Sequence, residues 1–418
     1  MKRGRWPADR AAILDGRGRI PDLPFDAVRP IQDAVRTGGD AAIRELSVRF
    51  DGFAPKQLEI PRKELQDAWK RLDPKLKAGL TACRDAIAAF HTAQMPKPMQ
   101  WTSPAGVRLG RRNLPVASAG AYIPGGRASY PSTALMCIVP AKVAGVASVV
   151  ACTPPGPTGK PADITLAALY LAGADRVFAV GGAQAIFAMA HGTETVPAVE
   201  RIVGPGNAYV AAAKALVAGV APIDAPAGPS EILVLADATA DVGMVAGELV
   251  AQAEHDPQAW CAVASSNSAF LAAVAAEVER QAASTPRKEI VQKALANGWL
   301  IQCPAGSLAA LADATAAEHL SLQVKAPRAL FNKIHNYGSA FLGPHSRVAF
   351  GDYISGSNHV LPTAGLARSW GGLDVETFLR RATHQEVSRK ALPALRKALP
   401  VAEAEGLFAH AATMRGAP

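Results

Sequence analysis

The chain has 418 residues, of which 49% are hydrophobic and 19% charged, with a formal net charge of +9. This composition excludes an intrinsically disordered protein, and the length predicts at least two domains. Basic residues could serve nucleic acid, an anionic cofactor or an acidic surface. They are spread along the sequence without interleaved aromatic residues, which favours an enzyme with a basic surface and no nucleic-acid partner.

The cysteines and the N-terminus indicate a cellular compartment. Five cysteines, an odd number at wide spacing without a CxxC pair, predict neither a disulfide framework nor a thiolate metal site. The N-terminal residues lack the apolar stretch of a secretory signal. No uncharged apolar run reaches the roughly 18–20 residues of a membrane span. We therefore expect a cytoplasmic protein without a membrane partner.

The predicted elements begin with helices and continue as two runs of alternating strands and helices. Helical spacing of apolar residues covers 26–50, which Gly38 and Gly39 split into two helices, and 63–93, which predicts one or two more. The first alternating run has strands at 121–123, 148–152, 176–180 and 201–203, and helices at about 132–144, 162–172, 183–191 and after residue 207. The second has strands at 231–236, 260–264 and 299–302, and helices at about 241–254, 267–284, 286–296 and 307–313.

Such alternation predicts parallel sheets with helices on both faces. We therefore predict an α/β fold with two Rossmann-like parallel-sheet domains that lack the GxGxxG fingerprint, plus small helical segments at both termini. The predicted boundaries are an N-terminal segment 1–20, a main α/β domain formed by 21–114 and 231–372, a second α/β domain 115–230, and a helical tail 373–418. The tail is too short and polar to fold alone, so it should pack on another domain or on a partner subunit.

Three glycine turns stand where the dinucleotide fingerprint is missing. We call residues 122–126, 181–184 and 204–207 the first, second and third glycine turns; each follows a predicted strand and opens a helix. Glycines there let an anion approach backbone N–H groups, and all three turns fall on one edge of the predicted sheet. The turns indicate an anion or cofactor site, although such glycines also occur without a ligand.

Two polar segments carry the chemistry that the sequence suggests. Glu318 and His319 are adjacent, and a carboxylate with an imidazole can take a proton from an alcohol and activate water near neutral pH. The alternative is two solvated surface residues. Segment 351–363 is rich in Gly, Asn, Asp and Ser and predicts an ordered polar loop. Within it, His359 is either a metal ligand or, as we favour, a structural hydrogen-bonding residue.

Gln252 and His255 lie three residues apart at the end of a predicted helix, so they share a face and can converge on one point. A histidine near a helix end more often caps carbonyl groups, and Zn²⁺ prefers His, Cys and carboxylate ligands to Gln. Spacing alone therefore does not favour Gln252 as a metal ligand. In the tail, Glu403, Glu405 and His410 are surface residues as far as the pattern indicates.

Taken together, these segments resemble the histidinol dehydrogenase family. The resemblance runs from about residue 20 to 412 and is carried by residues 120–137, 181–187, 204–210, 226–231, 252–255, 318–320, 351–363 and 405–410. It implies a zinc-dependent, NAD-linked dehydrogenase that oxidises L-histidinol to L-histidine through the aldehyde with two NAD⁺, the last steps of histidine biosynthesis. It also implies a homodimer.

The same resemblance implies roles for individual residues. Glu318 and His319 would form the catalytic acid/base pair. The implied zinc ligands are Gln252, His255, Asp352 and His410, and the implied NAD-binding residues of 115–230 are Tyr122, Gln184 and Asn207. The implied substrate-binding residues are Ser230, Gln252, His255, His319, Asp352, Glu405 and His410. Glu405 and His410 would come from the tail of one subunit and complete the site of its partner.

Two other interpretations stay open. A paralogue could apply the same alcohol-to-acid chemistry to another substrate, such as a sulfonated or plain diol. Arg127 near the site would suit such an anion, whereas Glu405 favours a cation such as histidinol. A binding or regulatory protein on an inactive scaffold is disfavoured by the intact Glu318, His319 and metal-ligand positions. The sequence does not indicate which metal is loaded in the cell or whether NAD or NADP is preferred.

Overall fold

The computed structural model describes residues 1–15, 23–53, 56–125, 129–156, 159–226 and 228–416. By their internal contacts these residues form two compact units. The first unit comprises Met1–Gln94 and Ala117–Phe378, and the second comprises Met95–Val116 and Leu379–Pro418. The predicted domain boundaries describe which parts of the chain would fold independently, whereas these two units are defined by contacts. The predicted boundaries stay a prediction.

The elements follow one another along the chain as four groups. The first unit begins with β1 (Lys2–Arg5), α1 (Arg10–Asp15), α2 (Phe25–Asp51), β2 (Glu59–Ile60), α3 (Arg62–Arg71) and α4 (Pro74–Ala93). The second unit contributes β3 (Met99–Thr102) and β4 (Val107–Pro115). The first unit resumes with β5 (Ser118–Tyr122), α5 (Pro131–Ala144), β6 (Ser148–Thr153), α6 (Asp163–Ala172), β7 (Arg176–Ala179), α7 (Gly182–His191), β8 (Ile202–Val203) and α8 (Ala208–Val217).

The first unit then continues with β9 (Glu231–Ala236), α9 (Val242–Ala253), β10 (Trp260–Ser265), α10 (Ser268–Ser284), α11 (Lys288–Ala296), β11 (Trp299–Gln302), α12 (Leu308–Thr315), β12 (His319–Gln323), α13 (Pro327–Phe331), β13 (Ser339–Leu342) and α14 (Val348–Tyr353). The second unit ends with β14 (Leu379–Val387), α15 (Leu392–Leu395), α16 (Leu399–Ala404) and α17 (Phe408–Arg415). Short 3₁₀ turns lie at Ala305–Ser307, Leu366–Arg368, Val375–Phe378, Arg389–Ala391 and Arg396–Ala398.

One sheet of the first unit has the order β2-β7-β6-β5-β8, in which only the edge strand β2 is antiparallel to its neighbour. Helix α2 packs against α7 and α8, and α5 packs against α4 and α6. The predicted break in α2 is confirmed, because Gly39 has non-helical backbone angles, with φ 52° and ψ −133°. The parallel strands place the three glycine turns at one edge, as the sequence predicts.

The other sheet of the first unit is entirely parallel, with the order β1-β11-β10-β9-β12-β13. Its central strands β9, β10 and β12 are buried along their whole length, as expected for parallel strands covered on both faces. The prediction of an α/β fold with parallel sheets is confirmed. None of the helices among the described residues is long and apolar enough to cross a membrane.

Three strands of this sheet, β1, β12 and β13, were not predicted from the sequence. The first of them lies in the N-terminal segment. Lys2–Arg5 forms an edge strand beside β11, although its charged side chains are mostly exposed and carry no apolar pattern. Strand β12 begins at His319, inside a segment that the sequence presents as polar. Strand β13 is only four residues long and is not fully buried. Edge position and polar composition hide such strands from a pattern of hydrophobic runs.

The second unit contains a three-stranded antiparallel sheet with the order β14-β4-β3. The prediction of a purely helical tail is therefore wrong at its start, because Leu379–Val387 pairs with β4 over all nine residues before the helices begin. This unit has eleven Lys and Arg against three Glu, so it holds nearly the whole net charge of +9. Basic residues that are separate in the sequence, such as Arg108 and Arg381, thereby come to lie on neighbouring strands.

Candidate functional site

Glu318 and His319 are placed by the start of β12, which lies between β9 and β13. Each residue is only 5% exposed, so the alternative of two solvated surface residues is wrong. Burying a carboxyl group next to an imidazole is costly unless both are hydrogen-bonded. The pair therefore needs partners on the neighbouring strand.

Glu231, the first residue of β9, supplies those partners through its backbone. Its N–H donates to Glu318 Oε2 at 2.7 Å, and His319 Nδ1 lies 3.1 Å from its carbonyl oxygen. Because a carbonyl only accepts, Nδ1 carries the proton, and Nε2 of neutral His319 has a free lone pair. Nε2 is buried with no hydrogen-bond partner among the described residues, 3.6 Å from Asp352 Oδ1. It can take a proton from a substrate.

The surroundings shift the titration of both groups. Burial raises the pKa of Glu318, against the opposing charge of His319. Burial by itself would lower the pKa of His319, but the carboxylates of Glu318 and Asp352 outweigh it and raise that pKa. Glu318 is thereby moved toward the range in which a carboxyl group serves as a general acid or base near neutral pH.

Two of the predicted metal ligands, Asp352 and His255, interact electrostatically with His319, and a third, Gln252, lies three residues before His255. Gln252, on α9, is 3% exposed, and its amide Nε2 is buried without a hydrogen-bond partner in the described part of the chain. His255 follows the end of α9, and its side chain is exposed. The surrounding protein atoms nevertheless remove part of its hydration, and this desolvation lowers its pKa. Burial raises the pKa of Asp352, on α14, but its interaction with the nearby His319 ring outweighs burial and lowers that pKa. A neutral imidazole and an ionised carboxylate are the forms that bind metals.

These residues fit a divalent metal in part. The described residues contain no group of three or more His, Cys, Asp and Glu side chains arranged to hold a metal ion. Of Gln252, His255 and Asp352, only the histidine and the aspartate are of these four types. A site formed by these three residues would therefore not contain such a group, and its absence does not argue against a metal held by them. The unpartnered Gln252 amide is the polar group that a metal would satisfy, since a 180° turn places Oε1 in that position. A fourth donor is needed for zinc.

The remaining predicted ligands belong to the second unit. His410 lies in α17 and Glu405 lies between α16 and α17, and both are exposed. Their roles, like those of the other predicted site residues, stay predictions.

A further carboxylate, which sequence reasoning missed, connects two of the ligand helices. Glu248 lies one turn before Gln252 on α9 and is 7% exposed. Its Oε2 accepts a hydrogen bond from Val348 N–H at 3.3 Å, and its Oε1 lies 3.8 Å from Arg347. Glu248 therefore ties α9 to the start of α14. The only signal in the sequence is an acidic residue four positions before Gln252 in an apolar helix.

His359 has two hydrogen-bonding partners. Its Nδ1 lies 2.9 Å from the carbonyl oxygen of Asp352, and its Nε2 lies 3.1 Å from Thr133 Oγ1. Nδ1 therefore carries the proton, and Nε2 accepts from the threonine hydroxyl. Burial lowers the pKa of His359, which keeps the ring neutral. The favoured interpretation as a structural hydrogen-bonding residue agrees with this geometry.

A cavity beside Glu318 joins the two sheets of the first unit. It is lined by residues of the third glycine turn, by Ser230 and by Glu318 and His359, among others. The catalytic pair lies at the amino end of β12, next to that of β9, whereas the third glycine turn lies at the carboxyl end of β8. The fold thus brings a predicted cofactor turn, the predicted substrate residue Ser230 and Glu318 of the catalytic pair to one cavity.

The predicted cofactor residues lie at the glycine turns but have unequal access. Tyr122 is 4% exposed, its hydroxyl accepts from Gly182 N–H at 3.1 Å, and burial raises its pKa. Gln184 is 1% exposed, with its Nε2 unpartnered among the described residues. Asn207 is exposed and caps α8, since its Oδ1 accepts from Tyr209 and Val210 N–H at 3.1 Å. Its amide NH₂ remains to donate to a ligand.

Two residues singled out from the sequence, Gly126 of the first glycine turn and Arg127, lie outside the described residues.

Comparison with known proteins agrees with this arrangement. The family model described as histidinol dehydrogenase matches residues 22–416. A histidinol dehydrogenase of Methanosarcina mazei is 45% identical over 395 residues, covering 93% of this chain and 91% of its own. One of Haloarcula marismortui is 44% identical over 414 residues, covering 98% and 97%.

A solved structure extends the agreement to the fold. The crystal structure of histidinol dehydrogenase from Elizabethkingia anophelis superimposes with a TM-score of 0.94 at 32% sequence identity, covering 99% of this chain and 96% of that one. The family match, the sequence relatives and this structure all span nearly the whole chain. The chain therefore belongs to the histidinol dehydrogenase family and is a dehydrogenase.

Proposed function

We propose that this protein is a zinc-dependent, NAD-linked enzyme that oxidises L-histidinol to L-histidine through the aldehyde, in the last steps of histidine biosynthesis in the cytoplasm. The observation that carries the proposal is the buried Glu318–His319 pair, with an unpartnered imidazole nitrogen 3.6 Å from Asp352. Glu318 of the pair lines a cavity that the third glycine turn also lines. Family membership supports the substrate.

Gln252, His255 and Asp352 would hold the zinc, with His410 as the fourth ligand. Bound zinc would supply an electrophilic anchor for the amine and imidazole nitrogens of the substrate. Ser230 and Glu405 would contact the substrate, and a carboxylate in that role favours the cationic histidinol over an anionic diol. Tyr122, Gln184 and Asn207 would hold NAD⁺ at the glycine turns of segment 115–230.

In the first oxidation, His319 Nε2 takes the hydroxyl proton while hydride passes from the carbinol carbon to NAD⁺, leaving the aldehyde. Glu318 would then take a proton from water, whose oxygen adds to the aldehyde carbon while His319 returns its proton to the aldehyde oxygen, which gives the hydrate. With a second NAD⁺ as the hydride acceptor, His319 would take one hydroxyl proton of the hydrate, and the acid formed would release its remaining proton to leave the carboxylate of histidine. The backbone of Glu231 holds both residues in place for these steps.

The primary test measures NADH formed per L-histidinol consumed. Two NADH per substrate, lost with a chelator and restored by Zn²⁺, are expected. A zinc-loaded protein that reduces NAD⁺ with sulfonated or plain diols but not with histidinol would instead assign the chain to the paralogue. Zinc binding without NAD⁺ reduction by any alcohol would favour an inactive scaffold.

Two variants separate the roles of the catalytic pair. His319→Asn should reduce the alcohol step by about 10²–10⁴-fold, the usual contribution of a general base, with zinc still bound. Glu318→Gln should slow oxidation of supplied aldehyde more than oxidation of the alcohol to the aldehyde. Near-normal turnover of His319→Asn, or normal aldehyde oxidation by Glu318→Gln, would contradict the respective role.

We further propose a homodimer in which Glu405 and His410 of one subunit complete the site of the other. The support is that both residues are exposed and lie in a segment too small to form a core of its own. Co-expressing His319→Asn with His410→Ala tests the arrangement, because a mixed dimer has one intact site only if the tail acts on the partner. Random mixing should then restore about a quarter of the sites. Activity no higher than in either parent would mean that each tail serves its own subunit.

A further inference from the structure

A buried ion pair holds the backbone of the third glycine turn. The side chains of Lys214, on α8, and Asp224 are each 3% exposed and form a salt bridge. Lys214 Nζ donates to the carbonyl oxygen of Gly204 at 2.8 Å, and the N–H of Gly204 donates to Asp224 Oδ2 at 2.8 Å. Both backbone polar groups of Gly204 are therefore bonded to the two members of one ion pair.

Gly204 is also held from the side of β5. Its φ of +116° lies in a region that L side chains rarely adopt, and a Cβ there would lie 2.2 Å from the carbonyl oxygen of Tyr122. The turn therefore begins in contact with the strand end that carries Tyr122. The ion pair on one side and the backbone of β5 on the other constrain the position of Gly204.

The packing of α8 does not require charges. The buried residues around Lys214 on this helix are alanine and valine, and burying an ammonium and a carboxylate costs several kcal/mol per ion before their attraction is counted. Apolar side chains of similar volume could fill the space itself, although they would leave the N–H and C=O of Gly204 without partners. Both members of the pair line the cavity that Ser230 and Glu318 also line. Their position therefore points to a role at the site.

We propose that Lys214 and Asp224 are positioning residues that set the third glycine turn for the cofactor, and thereby determine NAD⁺ affinity without taking part in the chemistry. This inference rests on the proposed function, in which Asn207 at the end of the same turn contacts NAD⁺. Losing the ion pair frees Gly204, and a free turn must be ordered again each time the cofactor binds.

The experiment compares a single and a double variant of the full-length, zinc-loaded protein. Lys214→Met leaves Asp224 buried without its cation and should lower thermal stability. Lys214→Met combined with Asp224→Leu removes the unpaired charge, so stability should rise above that of Lys214→Met, but it should stay below that of the wild type because Gly204 still lacks both partners. We expect the NAD⁺ dissociation constant, measured by calorimetric titration, to rise at least tenfold in both variants. Turnover at saturating NAD⁺ should stay within about threefold and zinc content should not change.

Arg176→Met is the matched control. Arg176 pairs with Glu59 across β7 and β2, at the other edge of the same sheet, so its loss should leave NAD⁺ affinity unchanged. If the double variant binds NAD⁺ with wild-type affinity, the ion pair is only structural and the inference is wrong. If the wild type neither binds nor reduces NAD⁺, the proposed function itself fails and the inference fails with it.

Discussion

Replacing Gly338 with alanine should displace the catalytic pair without altering either side chain. Gly338 precedes β13, and its N–H donates to the carbonyl oxygen of Ala317 at 2.9 Å, while Ser339 N–H donates to that of Glu318 at 2.8 Å. A Cβ on Gly338 would lie 2.5 Å from the carbonyl oxygen of Glu318 and 3.2 Å from its Cα. Because these are backbone atoms, they cannot rotate away, and the two strands must separate.

The size of the effect follows from that contact. Carbon and oxygen atoms in close contact between strands lie about 3.3–3.6 Å apart, so β12 and β13 must separate by about 1 Å. Overpacking of this kind costs about 1–3 kcal/mol, and weakening the two backbone hydrogen bonds adds up to about 1 kcal/mol. We therefore expect the free energy of unfolding to fall by about 1–4 kcal/mol. A displacement near 1 Å at Glu318 and His319 should also lower kcat about 10²-fold.

Denaturant unfolding and steady-state turnover measure the two effects. Gly306→Ala is the control, since a Cβ there meets no atom within 4 Å and the backbone is not left-handed. Its unfolding free energy should stay within about 0.5 kcal/mol of the wild type, with unchanged turnover. If Gly338→Ala matches Gly306→Ala in both measurements, β13 does not constrain the position of the catalytic pair, and the reasoning fails.

Two further predictions concern carboxylates away from the catalytic pair. Burial raises the pKa of Asp51 to about 6, and its Oδ2 has no hydrogen-bond partner in the described part of the chain. The folded state thus holds this proton more tightly than the unfolded state, so stability is lost as pH rises from about 4 through 6. Asp51→Asn should be more stable than the wild type by about 1–2 kcal/mol at pH 8, allowing for partial solvent screening, and equal to it at pH 4 in thermal unfolding. Glu248→Gln keeps an acceptor for the N–H of Val348 but loses the negative charge that faces Arg347. The zinc affinity, measured by competition with a chelator, should fall about tenfold, and the melting temperature should change little. An unaltered zinc affinity would mean that Glu248 does not support the metal site.

The parts of the fold that the sequence predicted are those with local signals. Strands such as β6, β9 and β10 are runs of Val, Ile, Leu, Ala and Cys between turn residues, and they were predicted to within one or two residues. Each of the glycine turns is also local, because it joins one strand to the next helix. Among the strands that were missed, β1, β12 and β14 have polar or charged residues that become strands by pairing with neighbours distant in sequence.

The candidate site likewise combines residues that have a local sequence signal with residues that depend on distant contacts. Glu318 and His319 could be chosen for their chemistry, but their burial depends on β9, whose Glu231 is 87 residues away in sequence from Glu318. Glu231 offered no signal of its own, since it acts through backbone groups that every residue possesses. The contact between Glu248 and Val348 spans 100 residues and was equally invisible. Residues that position others through long-range backbone contacts cannot be found from residue type and spacing.

The turn at Gly204 depends both on a local sequence signal and on long-range contacts that the sequence does not reveal. Its sequence, glycine before proline at a strand end, predicts a turn and nothing more. Glycine is necessary there because of the carbonyl group of Tyr122, which lies 82 residues earlier in the chain. The turn is held by an ion pair whose members lie further along the chain. A lysine in an apolar helix would ordinarily be assigned to the surface. Its burial beneath a glycine turn has a physical reason only if the position of that turn matters to the protein, and the cavity next to Glu318 is where that position would be used.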